Sequence, residues 1–373
     1  MNRLAAPLPL LAVALVACSS GTVPSPGAAT TGRPLFAAVE NHSTTPHTYD
    51  TVVIADAAGT AHASHAIRPR AVPCIGPAVP LLQPPAQTAA GAVYYADGDG
   101  TVHRLTPAGA DSVVTRFPVD DPQAELSFAV SPDGSHLMAS IVTYPPRITP
   151  PAGGSPVCYV GDRVHLAVLR ADAGGPATVA RQTDLIGGSG VIQMVGWDAT
   201  GPIGTVNTLL GTQQPLPEVW HGAAAHLDPS GQPGAVIGGA DCRAQAIAAN
   251  GAVACEGGGY TSVSVRDASG KVVIQVPPPS SGYLGLPVLR PDGAAVAMAL
   301  PDQAAAGATL YRQDGGTVRL PGLQPVGWLD ATTLVMVDNQ SVDFLGAMSA
   351  VHLEQPDRAV GLGFKGTWVG VVR

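Results

Sequence analysis

Residues that could perform catalysis or bind a metal occur in few patterns along this sequence. The segment Gly187-Gly188-Ser189-Gly190 lacks the Gly-x-Ser-x-Gly spacing of a nucleophile elbow and indicates a loop. His62 and His65 are three residues apart on a predicted strand, so their side chains point to opposite faces and cannot share one metal ion. Residues 97–100, Asp-Gly-Asp-Gly, lack the distal glutamate of a calcium loop and predict a tight turn. These patterns predict a protein that is not an enzyme and that uses no metal or cofactor.

The first eighteen residues have the features of an export signal. Arg3 is positively charged, and residues 4–16 form an almost unbroken apolar run that is too short for a permanent membrane span. The run ends in Leu15-Val16-Ala17-Cys18, which resembles the lipobox of bacterial lipoproteins. The resemblance implies that residues 1–17 are a cleaved signal peptide and that Cys18 carries a lipid. An ordinary secretion signal that contains a cysteine is the alternative.

The segment that follows predicts a tether between the lipid and a folded domain. Residues 18–34 are rich in serine, threonine, glycine, alanine and proline, which is typical of a flexible linker. We therefore expect residues 35–373 to form one domain, held at the extracytoplasmic side of a cell membrane by the lipid on Cys18. A net charge of −8 and an isoelectric point near 5.6 argue against nucleic acid as a partner, because phosphate binding needs a basic surface.

The overall composition favours short strands joined by turns. The 373 residues include 45 glycines and 36 prolines, while charged residues make up only 12%. Apolar residues reach 46%, which is enough to fill a core. High glycine and proline in an apolar, weakly charged chain predict an all-β fold.

A repeated turn shows how these strands are organised. Ser131-Pro132-Asp133-Gly134 and Arg290-Pro291-Asp292-Gly293 each lie between two apolar stretches, with proline and glycine placed as a β-turn requires. The segments Val195-Gly196-Trp197 and Val326-Gly327-Trp328 also match each other. The turns resemble the WD40-like repeats of the TolB family of β-propellers. A second turn recurs seven times at spacings of about one four-stranded blade, which predicts seven blades, with six or eight as alternatives.

The chain ends predict how the propeller closes. Residues 367–372 look like an innermost strand with nothing after it, and residues 35–39, 51–55 and 61–66 look like the three strands that follow one. Strands from both termini would then complete one shared blade and remove the open edge. In the second complete blade we predict strands at 126–130, 137–142, 164–169 and 177–182.

Four further cysteines predict two disulfides, because the number is even and the chain is exported. Within a propeller, Cys74 and Cys158 fall on loops of the same face, and Cys242 and Cys255 flank the hairpin turned by 249–251. We therefore predict bonds between Cys74 and Cys158 and between Cys242 and Cys255. The alternative is that one pair stays reduced and buried.

The face that bears Cys74 also carries the longest predicted loops, at 41–49, 70–79, 143–162 and 211–220. Long loops above a rigid ring are where binding sites are usually found, although they could also only pack over the end of the ring. Aromatic residues and arginine supply most of the binding energy at interfaces. The predicted partner-binding residues are Tyr144, Arg147, Tyr159 and Trp220. Trp197, Trp328 and Trp368 occupy equivalent repeat positions, and we interpret them as packing residues.

The function predicted from these features is non-catalytic binding of a protein, peptide or envelope glycan by a monomeric, lipid-anchored propeller. TolB-type repeats specify a fold that hosts many functions, so the resemblance does not decide the ligand. The alternative is a propeller hydrolase or lyase with its site in the central channel. That alternative needs titratable residues on several innermost strands, whereas the segments 126–130, 191–195, 284–289 and 323–326 are largely apolar. The sequence does not contain the repeated tryptophan-docking motif that a quinone-dependent redox propeller would require.

Overall fold

The structure of the protein is a computed structural model. It describes residues 34–42, 49–68, 86–144, 164–185, 189–208, 223–257, 262–278, 285–300, 307–321, 323–338 and 346–373. Residues 34–373 form one compact unit. The described part consists of strands and turns without any helix, and it therefore contains no helix that could cross a membrane. The all-β class is confirmed.

The strands are numbered in chain order. They are β1 Leu35–Glu40, β2 Thr51–Asp56, β3 Ala61–Ala66, β4 Ala86–Ala89, β5 Ala92–Ala96, β6 Thr101–Leu105, β7 Asp111–Arg116, β8 Ala124–Val130, β9 His136–Thr143, β10 Val164–Asp172, β11 Thr178–Leu185, β12 Ser189–Trp197, β13 Pro202–Thr208, β14 Ala223–Leu227, β15 Pro233–Val236, β16 Arg243–Ile247, β17 Val253–Gly257, β18 Ser262–Arg266, β19 Val272–Val276, β20 Val288–Leu289, β21 Ala295–Leu300, β22 Gly307–Arg312, β23 Thr317–Leu320, β24 Gln324–Trp328, β25 Thr333–Val337, β26 Gly346–His352 and β27 Ala359–Val372.

These strands form five four-stranded sheets and one seven-stranded sheet. The four-stranded sheets are β4–β7, β8–β11, β12–β15, β16–β19 and β20–β23, each an antiparallel meander in chain order. The remaining sheet has the order β24-β25-β26-β27-β1-β2-β3. Neighbouring sheets contact each other in chain order, and the last contacts the first through β27 and β4. Four-stranded meanders packed side by side in this way are typical of a β-propeller.

Burial changes in a regular way from one strand to the next within a sheet. In the second strand of the β4–β7 sheet, Ala92–Ala96, every residue is buried, whereas the fourth strand, Asp111–Arg116, is largely exposed. The second strand is apolar throughout because neighbouring sheets cover both of its faces. This gradient places each sheet's last strand at the outside of the molecule and its second strand in the core.

The two Pro-Asp-Gly turns form as predicted. Gly134 and Gly293 adopt positive φ angles of 73° and 71°, and each donates its backbone N–H to the residue that begins the turn, at 2.8 Å. The Asp133 carboxylate accepts hydrogen bonds from Ser131 and Ser135, which lower the pKa of Asp133 far below its usual range. The aspartates therefore recur because the turn needs them.

The two chain ends pair with each other. Leu35 lies opposite Val372 and Val39 lies opposite Thr367, so β1 runs antiparallel to the C-terminal part of β27. The predicted strand at 367–372 is nevertheless only part of a longer one. β27 begins at Ala359, where it pairs with β26, and it passes on to β1 with no proline to stop it. This continuity joins two four-stranded units into the seven-stranded sheet.

Candidate functional site

The first strands of the sheets line a common cavity. Residues of β4, β8, β12, β16, β20, β24 and the C-terminal part of β27 all face it. It has two parts, of about 740 and 630 Å³, which share lining residues such as Thr88, Trp197 and Val288. The larger part extends toward Ala86 and toward Tyr49, the last residue of the predicted loop at 41–49. The smaller part reaches Pro132 and Pro291 in the short turns.

Side chains from neighbouring sheets satisfy backbone groups along these first strands. Gln87 donates from Nε2 to the carbonyl of Phe128 at 2.7 Å and accepts at Oε1 from the N–H of Val130 at 3.3 Å. The Ser127 hydroxyl accepts from the N–H of Met194 at 2.9 Å. These side chains cap the edges of β8 and β12, which would otherwise face the cavity without hydrogen-bond partners.

Three indole rings line the cavity, those of Trp197, Trp328 and Trp368. Trp328 is buried and donates from Nε1 to the carbonyl of Val288 at 3.2 Å, which caps the edge of β20. Trp368 stacks on Phe36, with ring centroids 5.4 Å apart, and lies over Gly327, where any Cβ would collide with the indole. The interpretation as packing residues describes Trp328, one face of Trp368, and Trp197, which packs against the apolar cluster that includes Met194. It misses that all three also border the cavity.

Four glutamines line the larger part of the cavity, each on the first strand of a different sheet: Gln87, Gln193, Gln245 and Gln324. Gln87 bridges two strands, and Gln245 donates to Glu256 Oε2 at 3.3 Å. Within the described part of the chain, the side-chain amides of Gln193 and Gln324 make no hydrogen bond to protein groups, and both residues are half-buried. The first strands therefore present more polar side chains to the cavity than their largely apolar sequences predict, because the single glutamines of four strands converge there.

Charged groups are scarce in the larger part of the cavity. Asp198 is the one charged side chain among its described lining residues. Burial alone would raise the pKa of Asp198, but hydrogen bonds from His226, at 2.9 Å, and from the N–H groups of Thr200 and Gly201 outweigh it and lower the pKa. These hydrogen bonds hold the Asp198 carboxylate in its turn. No cluster of three His, Cys, Asp or Glu side chains suited to a metal occurs among the described residues.

Tyr144 is the one predicted partner-binding residue that lies within the described segments. Its hydroxyl donates to Glu125 Oε2 at 2.8 Å, and its ring packs against the apolar cluster that includes Val142 and Leu166. Burial raises the pKa of Glu125 to about 7 and the pKa of Tyr144 well above its usual value. The other carboxylate oxygen of Glu125 is buried and has no hydrogen-bond partner among the described residues. Tyr144 therefore supports the end of β9 from within.

The predicted disulfide between Cys242 and Cys255 is present in the structure. The two residues are 1% and 2% exposed, and the backbone of Gly238 passes so close that a side chain there would meet both sulfurs. Several other predicted residues lie outside the described segments: Cys18, Cys74, Cys158, Arg147, Tyr159 and Trp220.

The remaining sequence candidates have structural roles. His62 lies 3.4 Å from Asp56, whereas the ring of His65 is tilted against that of Tyr95 with centroids 5.6 Å apart, so the two histidines have separate surroundings. Asp97 starts the predicted tight turn and accepts from the guanidinium of Arg68 at 2.7 Å.

The two glutamines share a sequence signal with the matched tryptophan segments. Extending the matched segments toward the N-terminus by two residues gives Gln193-Met194-Val195-Gly196-Trp197 and Gln324-Pro325-Val326-Gly327-Trp328. The spacing from glutamine to tryptophan is the same in both. Each strand also has a β-bulge at the equivalent place, between residues 194 and 196 and between residues 325 and 327. A longer repeat comparison would have identified the pair.

Comparison with known proteins gives similarity of fold only. No family model and no curated protein matches the sequence. TolB from Acinetobacter baumannii is 12% identical, with 91% of this chain and 66% of that chain covered and a TM-score of 0.39. Oligogalacturonate lyase from Vibrio parahaemolyticus is 10% identical, with coverages of 68% and 73% and a TM-score of 0.44. Dipeptidyl peptidase 4 from Porphyromonas gingivalis is 10% identical, with coverages of 86% and 49% and a TM-score of 0.49.

Proposed function

We propose that this chain is a non-catalytic binding protein, carried on a seven-bladed propeller and held at the extracytoplasmic membrane surface by a lipid on Cys18. The anchor rests on the apolar run and lipobox-like residues at the N-terminus. The blade count rests on the sheets: five four-stranded sheets give five blades, and the seven-stranded sheet gives two that share β27. Pairing of β1 with β27 is the contact that would close the ring.

The observation that carries the binding function is the pair of unengaged amides, Gln193 and Gln324, in a cavity bordered by indole rings. Binding sites are concave, mostly apolar and furnished with a few polar groups that orient the ligand. The cavity fits this description, since most of its described lining is apolar and its polar groups come from separate sheets. Its larger part extends to Tyr49, the last residue of the predicted loop at 41–49.

The proposal is tested by equilibrium dialysis of the full-length protein, expressed in a bacterial host and purified in detergent. The protein is dialysed against a defined mixture of short peptides and oligosaccharides, and retained compounds are identified by mass spectrometry. We expect a compound to be retained unchanged by the wild type and lost from the Trp197→Ala variant. The variant Val179→Ala, at an exposed residue of the outer strand β11, serves as the control and should retain it.

Two results would contradict this function. Recovery of a cleaved or otherwise altered compound would show that the protein is an enzyme. Equal retention by the wild type and a folded Trp197→Ala variant would show that the cavity is not the binding site.

A further inference from the structure

We propose that the ligand of the central cavity is a short neutral oligosaccharide, hydrogen-bonded by the amides of Gln193 and Gln324 beside the indole of Trp197. This inference rests on the proposed binding function and names the chemical class of its ligand.

The two amides match sugar hydroxyl groups in their capacity for hydrogen bonding. A glutamine side chain offers one carbonyl acceptor and two N–H donors, and a hydroxyl group also donates and accepts. Gln193 and Gln324 are on the first strands of different sheets, β12 and β24, so their amides approach the cavity from two directions. A ligand with several hydroxyl groups could bind both without carrying a charge.

Trp197 and Trp368 line the same larger part of the cavity as the two amides, whereas Trp328 lines only the smaller part. Gln193 precedes Trp197, and Gln324 precedes Trp328, by four residues on strands with equivalent bulges. Trp197 is half-buried and borders both parts of the cavity, so part of its ring is accessible. A sugar ring has an apolar C–H surface and a polar rim, which suits a cavity lined by both an indole and amides.

The described lining of the larger part contains few charged side chains. Asp198 is the one charged side chain among the described residues of the larger part, and it is occupied by His226 and two backbone N–H groups. Arg373 borders only the smaller part. Carboxylate and phosphate ligands are usually held by arginine or lysine. An acidic sugar bound at the two amides would therefore lack the basic side chains that its charge requires.

The capped edges of three first strands favour a sugar over an extended peptide. A peptide would add to the open edge of a first strand through backbone hydrogen bonds. On β8 that edge is capped by Gln87, on β12 by Ser127 and on β20 by Trp328. Strand addition at these sheets would have to displace side chains that are already hydrogen-bonded, whereas a sugar needs only the unengaged amides.

The test uses isothermal titration of the full-length protein in a detergent without a sugar headgroup, which would otherwise compete. The neutral probes are maltotriose, cellotriose and chitotriose. Trigalacturonate is the charged probe, and penta-alanine is the extended peptide. We expect at least one neutral trisaccharide to bind and to change the tryptophan fluorescence of the wild type, whereas trigalacturonate and penta-alanine bind at least about tenfold more weakly.

The variants separate the amides from general effects of substitution. We expect Gln193→Leu/Gln324→Leu to weaken binding of the neutral probe by at least about tenfold, because two hydrogen bonds are lost. Gln182→Leu makes the same change on the exposed outer strand β11 and should leave affinity unchanged. Melting temperatures of all three proteins show whether they are folded, and the wild-type fluorescence titration does not depend on any variant.

The outcomes distinguish this inference from the function beneath it. Failure of every neutral trisaccharide to bind, or tighter binding of penta-alanine or trigalacturonate, overturns the sugar assignment. The binding function survives that result if the tighter probe, or the compound retained in dialysis, still requires the cavity residues. Unchanged affinity of a neutral trisaccharide in the folded double variant overturns the role of the two amides.

Discussion

Removing the disulfide between Cys242 and Cys255 should lower the free energy of unfolding by about 3 kcal/mol. The bond joins residues separated by 13 positions in sequence. On the chain-entropy account, opening a loop of this length gives the unfolded chain additional freedom worth that amount at 25 °C. For a chain of 373 residues this corresponds to a melting temperature lower by about 4 °C. Replacing both cysteines by alanine keeps the site apolar among its buried neighbours Ala244 and Val253.

The assay is differential scanning calorimetry of the wild type and of the double alanine variant, each with and without reductant. Reductant should lower the melting temperature of the wild type toward that of the variant. The variant serves as the control, because any further change in it reports effects of reductant elsewhere, including on Cys74 and Cys158. Alkylation followed by mass spectrometry counts the free thiols. If the wild type with Cys242 and Cys255 reduced melts within about 1 °C of the oxidised protein, the loop-entropy argument is refuted.

Three further predictions concern the ring, the anchor and one buried carboxyl group. Deleting residues 367–373 removes the strand that pairs with β1 and should lower the melting temperature by more than about 5 °C, and unchanged calorimetry would contradict closure. Cys18→Ser should release the protein from salt-washed membranes, and retention there would indicate another anchor. Because the pKa of Glu125 is about 7 instead of 4.5, the folded chain keeps a proton that the unfolded chain releases, and stability should fall as pH rises between these values. Glu125→Gln should remove that fall, measured by urea as the difference in the free energy of unfolding between pH 5 and pH 8. An equal difference in the wild type and the variant would contradict the prediction.

Local chemistry explains why many strands and turns could be predicted. The turn at 131–134 depends on a glycine with positive φ and an aspartate that binds the next N–H groups, and both requirements are met within a few residues. The second complete blade was predicted at 126–130, 137–142, 164–169 and 177–182, and β8 to β11 cover nearly all of these residues. The Cys242–Cys255 bond followed in the same way from a short hairpin.

Longer-range features escaped prediction because they depend on which strands converge. Nothing near Glu125 in the sequence shows that burial raises its pKa, since the packing of β8 and β9 and the contact with Tyr144 determine it. Similarly, β27 was expected to begin near residue 367, but it starts at Ala359 because one strand can pair with β26 along one part and with β1 along another.

The sequence by itself determined the all-β class, the turns and the disulfide at Cys242, because each depends on local periodicity or on a short hairpin. The pairing of β1 with β27 was predicted from the repeat pattern, and the structure shows it. Only the tertiary structure decided what faces the cavity. Gln193 and Gln324 lie far apart in the chain, yet the arrangement of the sheets brings their amides to one space beside Trp197. A lone glutamine on an apolar strand carries little information, whereas two unengaged amides that face the same cavity can recognise a ligand, because hydrogen bonding depends on positions in space.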